Sequence, residues 1–97
     1  MLTYINGKFC NLEQANVSVN DRGYQFGDAV YDVILYNNGT FLDLEGHLKR
    51  LRKSISRIDF KFNITNSVIK IIMKRLVVEN KIKYGSIYIQ VSRGTFS

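Results

Sequence analysis

Two groups of residues in this 97-residue chain have types and spacing that could do chemistry. His47 and Arg50 stand three apart, so on a helix they are neighbours, an imidazole beside a guanidinium. A guanidinium can meet an anion through paired charge-assisted hydrogen bonds, although by spacing alone a solvated helix arginine is the favoured reading. The other group is Asp21-Arg22-Gly23-Tyr24-Gln25-Phe26-Gly27-Asp28, a loop bounded by two glycines. Ordered loops of this kind are where function concentrates. Neither group is a complete catalytic constellation. There is no glycine-rich phosphate motif between a strand and a helix, no serine elbow and no cysteine-histidine pair at a working spacing. One thiol, Cys10, and one histidine make neither an internal disulfide nor a metal cluster, and Cys10 is expected as a packed or half-buried thiol.

The elements that must position these residues are legible as patterns. Leu2–Ile5, the turn Asn6-Gly7 and Lys8–Cys10 predict a hairpin. Residues 11–28 predict an ordered loop. Ala29–Tyr36 predicts a strand with Tyr31, Val33 and Leu35 on one face and Val30, Asp32, Ile34 and Tyr36 on the other. Asn37-Asn38-Gly39 turns it into Thr40-Phe41-Leu42. Asp43 is placed to cap a helix through its carboxylate, and Leu44, Leu48, Leu51, Ile55 and Ile58 form that helix's apolar stripe. His47 and Arg50 lie at or beyond the margin of the stripe. A second helix is predicted from Thr65, Asn66 or Ser67 to about Asn80, with Val68, Ile69, Ile72, Met73 and Leu76 inward. After Gly85 a last strand, Ser86–Ser92, sets Ile87, Ile89 and Val91 against Tyr88 and Gln90. Strand pairs, two helices and a returning strand predict an α+β fold, a two-layer sandwich of mostly antiparallel sheet with two helices on one face.

Composition bounds the rest. A chain of this length with 45% apolar residues can bury one core but not two, so residues 1–97 are read as a single domain. The net charge of +6 invites a nucleic-acid partner, since basic patches attract phosphate backbones. Against it, Lys49, Arg50, Arg52 and Lys53 point in several directions on a helix, and Lys70, Lys74 and Lys81 read as an ordinary solvated face. No nucleic-acid partner is expected. No run approaches a membrane span, and Met1–Gly7 lacks the layout of a signal peptide, so a cytoplasmic protein without a membrane partner is expected.

Four separated segments together resemble the class IV aminotransferases, the pyridoxal-phosphate fold type that includes D-amino acid aminotransferases, branched-chain aminotransferases and aminodeoxychorismate lyase. They are Tyr4-Ile5-Asn6-Gly7, the run DRGYQFGDAVYDV from Asp21 to Val33, the trio His47, Arg50 and Leu51, and Ile87 to Thr95. The most similar pattern is the D-amino acid branch, in which the loop runs into a strand such as Ala29-Val30-Tyr31-Asp32-Val33. Asp32 departs from it, because glutamate is commoner there; the charge is kept on a shorter side chain.

The resemblance implies roles. Arg50 corresponds to the arginine that binds the phosphate of pyridoxal 5′-phosphate, Tyr31 to a residue at the substrate carboxylate, and Val33 to a residue lining the pocket near the substrate side chain; His47 would support the fold. It implies exchange of amino groups between a D-amino acid such as D-alanine and a 2-oxo acid, with branched-chain aminotransferase or aminodeoxychorismate lyase chemistry as the alternative. The chemistry needs a lysine amine on the cofactor, which in the family lies in a second domain. None of the lysines here matches it, so no catalytic residue and no metal ligand is assigned. Residues 1–97 are therefore expected to be the amino-terminal domain of a truncated enzyme, inactive without its second half. That half and a second copy of the chain are the expected partners. A non-catalytic interaction domain that retains the fold is the competing expectation.

Overall fold

The computed structural model describes residues 1–23, 27, 29–58 and 61–94. Strands β1 (Leu2–Ile5) and β2 (Lys8–Asn11) pair antiparallel around Asn6-Gly7. Both turn residues have positive φ, 50° and 85°, the type I′ geometry whose twist suits a two-residue hairpin. Strand β3 (Ala29–Asn37) turns through Asn38-Gly39, again both at positive φ, into the short β4 (Thr40–Phe41). Helix α1 (Leu44–Arg57) and helix α2 (Asn66–Glu79) follow, and β5 (Tyr84–Ser92) returns antiparallel along the whole of β3.

The α+β arrangement with antiparallel sheet is as the sequence predicts. The strands divide into two sheets, β1-β2 and β4-β3-β5. Alternation on β3 and β5 puts Ile34, Ile87, Ile89 and Val91 on the helix side, where they meet Leu48, Leu51 and Ile55 of α1 and Ile69 and Met73 of α2. Ile34 and Leu48 are fully buried, and Phe62 and Ile89 join the two parts of this core. Cys10 is half-buried, beside the Thr3 hydroxyl.

Several local expectations are corrected. Asp43 begins α1 but does not cap it with its side chain; its backbone is left-handed (φ 51°), and its carboxylate lies over Gly46, where a Cβ would come within 2.5 Å of it. The helix-opening bond is instead from the His47 amide to the Asp43 carbonyl, 3.0 Å. The cap that does form is Thr65, whose hydroxyl accepts from the Val68 amide. On α2 the buried stripe is Ile69, Met73 and Val77 at strict i+4 spacing, while Val68 is exposed. Ile72 and Leu76 line a hollow of about 350 Å³ beside β5 and the β1-β2 hairpin. Lys81 is not on a helical face at all. It stands just past the end of α2 at φ 54°, the left-handed position of a helix-ending motif closed by Lys81 N to Val78 O (3.1 Å) and Ile82 N to Val77 O (2.9 Å).

The basic cluster on α1 also separates. The Arg52 guanidinium donates to Asn66 Oδ1 (2.8 Å) and to the Ile64 carbonyl and sits over the Phe62 ring, tying α1 to the segment before α2. No helix among the described residues is long and apolar enough to cross a membrane, and no cluster of metal-ligating side chains occurs among them.

Candidate functional site

Strand β3 carries two different faces, because successive side chains alternate. Tyr31, Val33 and Leu35 point away from the helices and are 66%, 39% and 55% exposed. The β5 register sets Gln90 opposite Tyr31 and Tyr88 opposite Val33. Tyr88 stacks on Tyr31, ring centroids 5.6 Å apart at 17°, and donates its hydroxyl to Gln90 Oε1 at 3.0 Å. The result is an exposed aromatic and apolar sheet face. The two substrate-side candidates, Tyr31 and Val33, both lie on it.

Between them in sequence, Asp32 points the other way, toward α1, and only 3% of it is exposed. A carboxylate at a core-facing strand position must find partners or remain neutral. His47 and Arg50, three apart on α1, supply them. Arg50 Nε donates to Asp32 Oδ2 (2.9 Å) and Arg50 Nη2 to Oδ1 (2.8 Å), a side-on two-bond pair. His47 Nδ1 lies 2.7 Å from Oδ1. An ionised carboxylate only accepts, so this nitrogen carries a proton and donates. Its 3.1 Å approach to Arg50 Nη2 is therefore two donors side by side, both directed at Asp32.

The electrostatics follow. Hydrogen bonds from Arg50 hold the Asp32 carboxyl below the ordinary aspartate range; burial opposes this, and the His47 bond with the charges of Arg50 and His47 adds to it. The Arg50 guanidinium is raised in turn, through the same bonds and the charge of Asp32, with burial opposing and the charge of Asp43 adding to it. A carboxylate with a depressed folded pKa contributes stability that is present above its unfolded pKa and lost as pH falls through the folded one. We therefore expect the urea midpoint of the chain to drop on acidification below about pH 4, and Asp32→Asn to flatten that part of the profile. An unchanged profile in the variant would exclude Asp32 as its source.

Arg50 is not used up by Asp32. The pair occupies Nε and one Nη2 hydrogen, and the Nη1 edge belongs to a side chain that is 66% exposed. That edge can meet a further anion while the first pair stays intact. A phosphate, with several acceptor oxygens, fits such an edge; this is what the arrangement can do chemically.

The glycine-bounded loop is anchored at its start. Asp21 Oδ1 accepts from the Gly23 amide (2.8 Å), and its Oδ2 accepts from the Ser92 hydroxyl at the end of β5 (3.0 Å). Ser92 Oγ accepts from the Gly94 amide (3.1 Å), and the Arg22 amide donates to the Gly94 carbonyl (2.6 Å). A Cβ on Gly23 would come within 2.8 Å of Ser92 Cβ and 2.9 Å of Ala29 Cβ, so only glycine allows this close approach. Asp21 and Ser92, 71 residues apart in the chain, thus meet at one corner of the sheet. Tyr24, Gln25, Phe26 and Asp28 of the loop, and Thr95 of the final segment, lie outside the described residues.

Sequence patterns and resemblance single out Arg50, Tyr31, Val33 and His47. They mark Asp32 only as a departure in length. The signal for its role is present, since an acid at a helix-facing strand position calls for a cationic partner on the covering helix.

Comparison with known proteins gives a consistent picture. A model of the family described as amino-transferase class IV matches residues 29–97. The D-alanine aminotransferase of Listeria monocytogenes is 38% identical over 94 residues, covering 97% of this chain and 32% of the relative. That of Staphylococcus epidermidis is 40% identical over 91 residues, 94% of this chain and 32% of the relative. The chain thus spans about a third of the length of the curated relatives it matches. Among solved structures, the T.th. branched-chain amino acid aminotransferase with pyridoxamine 5′-phosphate superposes with a TM-score of 0.91 at 21% identity, over 99% of this chain and 33% of its own. The Escherichia coli branched-chain enzyme gives 0.86 at 18% identity, over 92% and 32%. At these identities the likeness concerns the fold alone.

Proposed function

This chain belongs to the class IV aminotransferases, and from that premise we propose that residues 1–97 are the amino-terminal domain of an enzyme exchanging amino groups between a D-amino acid such as D-alanine and a 2-oxo acid with pyridoxal 5′-phosphate. The observation that carries the reading is the largely exposed Arg50 side chain, held on α1 through Nε and Nη2 by the one buried acid of β3 among the described residues. Its neighbours along that strand, Tyr31 and Val33, face the open side of the sheet. In this reading Arg50 holds the cofactor phosphate through the Nη1 edge. Tyr31 offers its phenol as a donor to the substrate carboxylate. Val33 presents an apolar surface to the substrate side chain. When bound, the cofactor supplies the electron sink that makes the substrate's α-proton labile.

The preference for D-amino acids over branched-chain substrates is supported by the 38–40% identity to proteins named D-alanine aminotransferase. The branched-chain neighbours named above share 18–21%. The lysine that carries the cofactor is assigned outside residues 1–97, so the remaining part of the enzyme and a second copy are its proposed partners, and amino transfer needs the completed enzyme.

The test supplies the other two-thirds of a D-alanine aminotransferase as a separate polypeptide and follows amino transfer to 2-oxoglutarate. The expected result is turnover of D-alanine well above that of L-leucine, only when both polypeptides and the cofactor are present. A preference for L-leucine would replace the substrate assignment. Association without any change in the cofactor's visible absorption would favour an interaction domain instead.

A further inference from the structure

The Asp32, His47 and Arg50 cluster has an asymmetry that a simple structural ion pair does not require. Its acid is buried and its arginine is not: the Asp32 side chain is 2% exposed and the Arg50 side chain 66%. The acid is also doubly fixed, one oxygen receiving both His47 Nδ1 and Arg50 Nη2 and the other receiving Arg50 Nε. A long arginine stem in water samples many rotamers and loses that freedom when it binds an anion. Here the freedom is already removed by a carboxylate that cannot move, because it stands on the central strand of its sheet and is wedged against α1.

From this geometry we infer that Asp32 is the positioning residue of the anion site, presenting the Nη1 edge of Arg50 in one orientation, with His47 steadying the acid. The inference rests on the reading of Arg50 as the phosphate anchor. It adds that orientation, rather than positive charge alone, gives the site its affinity. The carboxylates of Asp32 and Asp43 both act on the guanidinium and repel a second anion, but the Arg50 side chain is 66% exposed, and water screens that repulsion. Pre-ordering the side chain outweighs it, at about tenfold in affinity. A lysine in place of Arg50 would keep the charge and lose the two-bond lock, since an ammonium has no planar fork.

Pyridoxamine 5′-phosphate is the probe, titrated into the 97-residue chain and its variants while ³¹P and arginine Nε–H resonances are recorded. Wild type is expected to bind through the phosphate with a shift at Arg50 Nε–H, and unphosphorylated pyridoxamine to leave that signal unmoved. Asp32→Asn, checked as folded by circular dichroism at low temperature, is expected to bind about tenfold more weakly, with Asp32→Glu in between. Arg50→Lys, checked as folded in the same way, is expected to lose most of the binding lost in Arg50→Ala. If Arg50→Ala binds like wild type, the phosphate-anchor reading fails. If Arg50→Ala loses binding while Arg50→Lys or a folded Asp32→Asn keeps it, the anchor stands and the positioning role is overturned. Should Asp32→Asn not fold, the comparison of Arg50→Lys with Arg50→Ala decides.

Discussion

Arg50→Ala raises the dissociation constant for pyridoxamine 5′-phosphate by about 10–100-fold and also lowers the melting temperature, because it strips the buried Asp32 carboxylate of its two-bond partner. The magnitude follows from the loss of charge-assisted hydrogen bonds, about 1.5–3 kcal/mol against 1.4 kcal/mol per tenfold. The loss of stability is electrostatic and not one of packing. Arg50 leaves no cavity when removed, because two-thirds of its side chain is already in water. The groups it abandons are the Asp32 oxygens, one of which keeps His47. Asp32→Asn in the Arg50→Ala background removes the stranded charge, so the thermal midpoint should recover there while ³¹P titration shows binding still lost. Recovery of binding together with stability in that double variant would mean that Arg50 acts through the fold and not at the ligand.

Leu48→Ala lowers stability through packing instead. Leu48 is fully buried between Ile34 of the sheet and the Ile69 and Met73 stripe of α2, with Leu44 and Phe41 closing the side. Truncation removes packed atoms where three elements meet, and sites of this kind lose about 2–5 kcal/mol. A domain of this length shifts by roughly 4–8 °C per kcal/mol, so the melting midpoint should fall by roughly 10–40 °C. Ile71→Ala is the control. Ile71 stands on the same helix as Met73 but is 67% exposed, and its loss should cost within about 0.5 kcal/mol. Comparable losses in the two variants would contradict the placement of the core.

Much of the architecture is readable in the sequence because the governing interactions are local or periodic. Asn6-Gly7 and Asn38-Gly39 announce tight hairpins because few other pairs accept two positive φ values. Leu48, Leu51 and Ile55 announce the buried side of α1 by their spacing alone. Expectation and structure part where a neighbour in space decides. Val68 and Val77 are equally apolar, and only the position of the sheet and α1 decides which is covered. Asp43 has the right chemistry for a cap, but a left-handed backbone turns its carboxylate over Gly46. Lys81 fits the helical period, yet the chain leaves the helix through it, and the Asn80 side chain bonds across to both Leu2 backbone groups, joining α2 to β1.

The site divides in the same way. Arg50, Tyr31 and Val33 are proposed from motif resemblance; strand alternation gives the open face of Tyr31 and Val33, and helical spacing puts Arg50 outside the apolar stripe of α1. That Arg50 is held by Asp32 requires the packing of α1 on β3, a contact between residues 18 apart that no single-element pattern encodes. The same contact explains how an arginine outside the apolar stripe can be ordered without being buried.

Everything proposed for this domain turns on whether the exposed edge of Arg50 is a phosphate site. The direct measurement is a paired titration of the wild-type chain with pyridoxamine 5′-phosphate and with pyridoxamine, reading the Arg50 Nε–H resonance. A saturable shift with the phosphorylated compound and none with the other is the predicted result. Equal responses to both, or saturation that leaves Arg50 unmoved while other residues shift, would contradict it.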